Sequence, residues 1–196
     1  MTDGGLMTTP VASAPRSPTV TIGVSIGLPE PHASHVQAAR RSFGDLQADA
    51  IPTHVTLLPP TPIERTRLGE LEEHLRRIAA DRHQFRISLR GTGSFRPVSP
   101  VVFIQLVAGQ DGCAELADAV RTGLLHRELE FPYHPHVTIA HDIAEASLDQ
   151  AAAAMADFEL DFTVREFQLY VRDDNEHWRP VRSYQLASPG SALGAG

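Results

Sequence analysis

The sequence predicts an α+β fold of two lobes related by a pseudo-twofold. Three observations carry that expectation. A His-Val-Thr-aliphatic run occurs twice, as "HVTLL" from His54 and as "HVTIA" from His136. Each copy lies inside an apolar segment. The segments around both copies follow one order: strand, helix, His-Val-Thr strand, helix, strand. The halves share little sequence beyond this motif, so the repeat is one of architecture, and strands of both halves are placed to line a central groove.

The elements follow in order. "VTIGVSIGL" from Val20 is β-branched and closed by Pro29, which predicts a strand. Residues 31–43 read as a helix ending near Gly44. "THVTLL" is a short apolar strand, expected to stop at Pro59 and Pro60. Over residues 63–80, Leu68, Leu71, Leu75 and Ile78 recur at helical spacing. "FRISLRG" alternates as a half-exposed strand does, with a glycine-rich turn expected at Gly91–Gly93. "VVFIQLV" from Val101 is a strand. A helix is expected from Cys113 to Leu129, with Leu116, Val120, Leu124 and Leu125 on its inner stripe. "HVTIA" is again a strand, and residues 148–156 form an Ala-rich helix. "FELDFTVREFQLYVR" holds one or two strands, and "WRPVRSYQL" closes the set. Residues 1–19 and 188–196 read as disordered tails around a single folded domain of residues 20–187.

Composition bounds the function. Hydrophobic content of 42% and charged content of 21% in 196 residues fit a soluble globular domain. Seventeen Lys and Arg stand against 24 Asp and Glu, a net charge of −7. That is no footprint for gripping long nucleic acid through its phosphates. A local pocket can still be positive on an acidic surface, which leaves a small or end-recognised phosphate ligand open. Cys113 is the one cysteine, which excludes an intrachain disulfide and a Cys-rich zinc site and points to the cytoplasm. No secretory signal and no apolar run of membrane-spanning length is present. The expected state is a monomer without cofactor or metal.

Strand period gives the motif its geometry. Side chains two residues apart share a face, so His54 with Thr56, and His136 with Thr138, each present an imidazole and a hydroxyl together. Val55, Leu57, Val137 and Ile139 then point to the core. His-x-Thr alone carries no information in a chain with ten histidines. The longer His-Val-Thr-Leu/Ile is expected at roughly 0.01 copies by chance, and two are present. Two facing strands of this kind suit in-line displacement at phosphorus. One neutral histidine takes a proton, an imidazolium on the opposite side gives one, and hydroxyls donate to the non-bridging oxygens.

Other residues have weaker claims. His134 shares the His136 face, and Phe95, Tyr133 and Trp178 can stack on a base, although core or loop packing explains each aromatic as well. Phe95, Tyr133 and His134 are therefore the candidate substrate contacts. Arg96, Arg165, Arg172 and Arg182 are candidate phosphate helpers. A zinc site of His134, His136 and His141 lacks an evident carboxylate partner. A non-catalytic nucleotide or RNA-end binder and a metal-dependent hydrolase are the competing functions.

The paired "HVTL" and "PHVTI", with "GTGSFRP", "YHPHVTIAH" and the late "FQLYVRD" and "WRPVRSYQL", resemble the two-histidine (2H) phosphoesterase superfamily, which includes bacterial 2'-5' RNA ligase and cyclic phosphodiesterase proteins. The resemblance covers nearly the whole folded part. It implies antiparallel sheets flanked by helices around a groove. It also implies metal-free chemistry on 2',3'-cyclic phosphates or 2'-5' phosphodiester bonds, with reverse ligation open to the same site. Carried to the matching positions, His54 and His136 are the catalytic acid/base pair, and Thr56 and Thr138 hold the phosphate.

Overall fold

The computed structural model describes residues 18–188. The expected tails lie outside the described residues except at their inner ends, and Thr19 already belongs to the first strand. The strands are β1 (Thr19–Gly27), β2 (His54–Glu64), β3 (Phe85–Ser94), β4 (Val101–Ala108), β5 (His136–His141), β6 (Glu159–Val164), β7 (Glu166–Arg172) and β8 (Trp178–Gln185). The helices are α1 (His32–Ser42) and α2 (Leu68–Asp81), which flank β2, and α3 (Gln110–Val120) and α4 (Glu145–Ala154), which flank β5.

These strands form one curved antiparallel sheet in the order β6-β3-β4-β5-β2-β1-β7-β8. The two expected sheets are its halves, joined at the centre by a bridge between Val55 of β2 and Val137 of β5. The units β1-α1-β2 and β4-α3-β5 correspond across that bridge. α1 packs against β5 and α3 against β2, so each helix lies under the other lobe's His-Val-Thr strand. The strand that follows each second helix also changes sides. β3, after α2, pairs with β4, and β7, reached after α4, pairs with β1. The lobes are therefore interlocked, and their buried aliphatic side chains form one continuous core. Val55, Leu57, Val137 and Ile139 are each fully buried in it, which fixes the opposite face of β2 and β5 as the groove.

Three boundaries differ from expectation, each for a local reason. β2 does not stop at Pro59 and Pro60. Leu58 pairs with Val24 and Thr61 with Ile22, so the prolines occupy a bulge where no N–H is required for the ladder. Gly91 is likewise a bulge within β3 and not a turn. Leu89 pairs with Leu106 and Thr92 with Ile104, and Gly91 has φ +58°, with Ala156 O only 3.2 Å from where a Cβ would stand. α3 ends at Val120, because Thr122 is extended and Gly123 has φ +59°. The remaining connection, residues 126–135, runs free of helix to β5.

Cys113 is fully buried in the core, and burial pushes its thiol up to about 12, which makes it inert at neutral pH. Among the described residues no helix is long and apolar enough to cross a membrane.

Candidate active site

The Val55–Val137 bridge sets the geometry. One residue further out, antiparallel register brings His54 across from Thr138 and Thr56 across from His136. All four side chains rise from one face, each half-buried. The strand backbone also orients each ring. His54 Nδ1 donates to the carbonyl oxygen of Pro52 at 2.6 Å, and His136 Nδ1 donates to that of His134 at 2.7 Å. A carbonyl can only accept, so each neutral ring carries its proton on Nδ1 and its lone pair on Nε2. His54 Nε2 accepts from the Thr56 hydroxyl at 3.0 Å.

Both imidazoles are held below the ordinary histidine range, chiefly by burial. At His54 the Pro52 carbonyl opposes that shift, while the charges of Arg40 and His136 add to it. At His136 the His134 carbonyl opposes it and the His134 ring adds to it. The sequence offered no sign of Arg40. It is a buried arginine on the inner side of α1, paired with Asp45 at 2.9 Å and donating to Ile51 O at 2.7 Å. It pins the loop that delivers Pro52.

The candidate contacts separate into two groups. Phe95 and His134 do meet the site. The Phe95 ring stands edge-on to His136 at 4.9 Å, and the His134 ring centre is 6.1 Å from that of His136. Phe103 completes this box, 5.2 Å from His136 and 4.4 Å from Phe95. It was missed, although it pairs directly with Thr138. Its room is made by Gly93, where a Cβ would come within 2.6 Å of the Phe103 ring. Tyr133 serves elsewhere: its hydroxyl donates to Thr56 O at 2.8 Å, and its ring lies 4.9 Å from the Arg121 guanidinium. It braces β2 from the 126–135 connection. Trp178 does border the groove, in a pocket of about 120 Å³ that adjoins His54 and Thr56 and is walled by Tyr170, Leu58 and Pro60.

Three of the four candidate arginines are held by carboxylates. Arg96 pairs with Glu145 at 2.5 Å and Asp149 at 2.9 Å, Arg172 with Glu176 at 3.8 Å and Arg182 with Glu72 at 3.2 Å. Arg165 lines a separate polar cleft at the end of β1. His141 points to Asp142, 3.2 Å away. Among the described residues no group of three or more His, Cys, Asp or Glu side chains is arranged to hold a metal ion.

A curved antiparallel sheet that brings two His-Val-Thr strands together across one groove defines a two-histidine phosphoesterase. The chain belongs to the 2'-5' RNA ligase superfamily, whose family model matches residues 28–176. It is 26% identical over 166 residues to OB1230 of Oceanobacillus iheyensis, which carries a phosphoesterase name, covering 84% of this chain and 96% of that protein. A phosphoesterase-named protein of Bacillus cytotoxicus is 28% identical over 138 residues, 69% of this chain and 80% of that one. Among solved structures, apo E. coli LigT superposes with a TM-score of 0.60 at 20% identity, covering 87% of this chain and 99% of LigT. LigT has also been solved with 3'-AMP and with phosphate. TT0787 of Thermus thermophilus superposes with a TM-score of 0.58 at 21% identity, over 85% of this chain and 97% of that one.

Proposed function

We propose that this chain is a metal-independent phosphodiesterase acting on small nucleotides or RNA ends, opening 2',3'-cyclic phosphates or cleaving 2'-5' diesters. His54 and His136 are the acid/base pair, and Thr56 and Thr138 hold the phosphoryl oxygens. The observation that carries this reading is the pair of Nε2 lone pairs set by the Pro52 and His134 carbonyls on either side of one bridge. The nucleotide and phosphate complexes of LigT support the ligand class.

The chemistry follows from that arrangement. One Nε2 takes a proton from water as its oxygen bonds to phosphorus. The P–O bond to the sugar breaks, and the other ring, entering as imidazolium, gives its Nε2 proton to the departing oxygen. Threonine hydroxyls donate to the non-bridging oxygens, where charge resides. Thr56 must therefore turn from His54 Nε2 to the phosphate, which frees that nitrogen for its proton. Run backwards, the same steps form a 2'-5' bond. The reading keeps the chain monomeric and cytoplasmic. Its lone buried cysteine supports the second.

The test is turnover of a panel of 2',3'-cyclic nucleotides and 2'-5' linked oligonucleotides with EDTA present. Turnover that survives the chelator is expected. Binding without turnover replaces the reading with a nucleotide-binding role, and loss on chelation replaces it with metal-dependent hydrolysis.

A further inference from the structure

His54 owes its orientation to one carbonyl, that of Pro52. The chain on both sides of that carbonyl is held by side chains from one face of α1. Gln37 and Arg40 stand three residues apart and share that face. Arg40 is buried. Its Nε donates to Asp45 Oδ2 at 2.9 Å, and an Nη donates to the Ile51 carbonyl at 2.7 Å. The second oxygen of Asp45 accepts from the Gln47 N–H at 2.9 Å, in the turn that leads to Ile51. Gln37 Nε2 donates to the carbonyls of Ala48 and, at 3.3 Å, of Ile51. Carbonyls only accept, so the amide nitrogen must face them and Oε1 must face Thr53. The Thr53 hydroxyl, itself buried, donates to that Oε1 at 2.5 Å. The other side of the loop is tied by the Trp178 N–H, which donates to Ala50 O at 2.8 Å. Pro52 adds a fixed φ and has no N–H to satisfy. The residues before and after it are thus both committed, and its carbonyl is left to accept from His54 Nδ1 at 2.6 Å.

We propose that Gln37, Arg40 and Thr53 are positioning residues for the reaction: they aim the Pro52 carbonyl at His54 Nδ1 and so keep the Nε2 lone pair in the groove. This rests on the phosphodiesterase reading above, in which His54 exchanges its proton through Nε2. A neutral imidazole has two tautomers, and the hydrogen bond at one nitrogen sets what the other presents. If the Pro52 peptide turns away, Nδ1 loses its acceptor and the proton is free to settle on Nε2. A ring in that form can neither take a proton at Nε2 nor accept there from Thr56. A buried ion pair such as Arg40 with Asp45 adds little net stability, because desolvation offsets the attraction. What it supplies is a fixed donor for Ile51 O. A buried polar network whose members are satisfied is rigid, and rigidity is what an orienting carbonyl requires. All three side chains act through Pro52 and not on the phosphate.

The experiment reads the tautomer of His54, which needs no substrate and so stands apart from the turnover test of the phosphodiesterase reading. Nitrogen-15 NMR of the histidine rings is recorded at about pH 8, where histidine is neutral, for the wild type, Gln37→Met, Thr53→Val and Thr53→Ser. His136, whose ring takes its acceptor from His134, is the control within the same molecule. In the wild type both rings should carry the proton on Nδ1. Gln37→Met and Thr53→Val should turn His54 into a mixture with the Nε2–H form and leave His136 as it is. Both should lower kcat about tenfold with KM within about twofold, the scale of loss when a partner that orients a functional histidine is removed. Thr53→Ser keeps the donor and should keep the wild-type tautomer and rate. A His54 that stays wholly Nδ1–H in both Gln37→Met and Thr53→Val overturns the proposal. So does an equal change at both histidines, which would mark a merely structural role, or a Thr53→Ser protein that behaves as Thr53→Val does.

Discussion

The two His-Val-Thr strands agree in sequence, in their register about Val55 and Val137, and in the carbonyl that orients each ring. Their surroundings do not agree. His136 is boxed by Phe95, Phe103 and His134. His54 has the Thr56 hydroxyl on Nε2, the charge of Arg40 behind it and the polar row of Ser25, Gln168 and Glu166 alongside. Strand period decides what a motif presents, and the neighbouring strands decide its environment. A pseudo-twofold site that must treat the two sides of a phosphate differently draws its asymmetry from the strands outside the motif: β3 and β4 on one side, β1 and β7 on the other.

The hardest test of the likeness is to remove each histidine. His54→Ala and His136→Ala should each lower kcat/KM by about 10²- to 10⁴-fold, as expected for a lost general acid or base, with the melting temperature showing that both variants fold. Comparable losses mean that the different surroundings serve one shared reaction. A folded variant that keeps the full rate breaks the pairing and removes that histidine from the chemistry.

The threonines come next. Thr56→Val and Thr138→Val keep shape and strand preference but delete a donor to the phosphoryl group, at a cost of about 2–4 kcal/mol in transition-state stabilisation. Thr→Ser keeps the donor and should cost much less. If threonine is present only for its β-propensity, the order inverts, with Val tolerated and Ser mildly destabilising. Turnover and melting temperature for the four variants decide between the two. A loss at Thr56 with none at Thr138 would confine phosphate binding to one lobe.

Much of this was legible in the sequence. The order of elements, the faces of Val55 and His54 and the pairing of the two motifs follow from periods of 2 and 3.6, which are local properties. What escaped is non-local. Pro59, Pro60 and Gly91 read as stops because the chain does not record the partner strand that turns each into a bulge. The exchange of β3 and β7 between lobes leaves no periodic mark. Phe103 was hidden among the apolar residues of β4, and its role as a wall of the site depends on its pairing with Thr138. Tyr133 is the complementary case: of the two readings open to an aromatic beside a motif, packing or the groove, the chain alone does not choose, and its hydroxyl on Thr56 O and its place against the core choose packing.

The pH dependence sharpens the comparison at a smaller scale. One histidine must enter neutral and the other charged, so kcat/KM should follow a bell whose limbs belong to the coupled pair. Burial holds both rings below about 6.5, the ordinary value. The optimum of kcat/KM, which reports the free protein, is therefore expected on the acid side of that value. With substrate bound, the phosphate's negative charge favours the imidazolium, and the optimum of kcat should lie higher. A rate that climbs steadily through the alkaline range would instead point to a nucleophile that neither ring controls.

The smallest effect is on stability, and its sign is fixed by the same shifts. A histidine held below its ordinary value binds its proton less readily in the folded chain than in the unfolded one. In the interval between its folded pKa and about 6.5 the unfolded chain carries more protons, so stability rises with pH there. The contribution is whole above about 6.5 and is lost as pH falls toward the folded value. One fully affected histidine gives a slope of at most about 1.4 kcal/mol per pH unit, and solvent reaching these half-buried rings keeps it below that. His54 faces the Arg40 charge in addition to burial, while His136 lies among aromatic rings. The fall in melting temperature of the wild type from pH 7 to pH 5 should therefore be flattened more by His54→Gln than by His136→Gln. Glutamine keeps a polar group in the groove without titrating, so the difference between the two variants isolates the environment of each ring. A larger flattening at His136 would mean that the aromatic box resists its charge more than Arg40 resists that of His54, and the ranking of the two environments would be reversed.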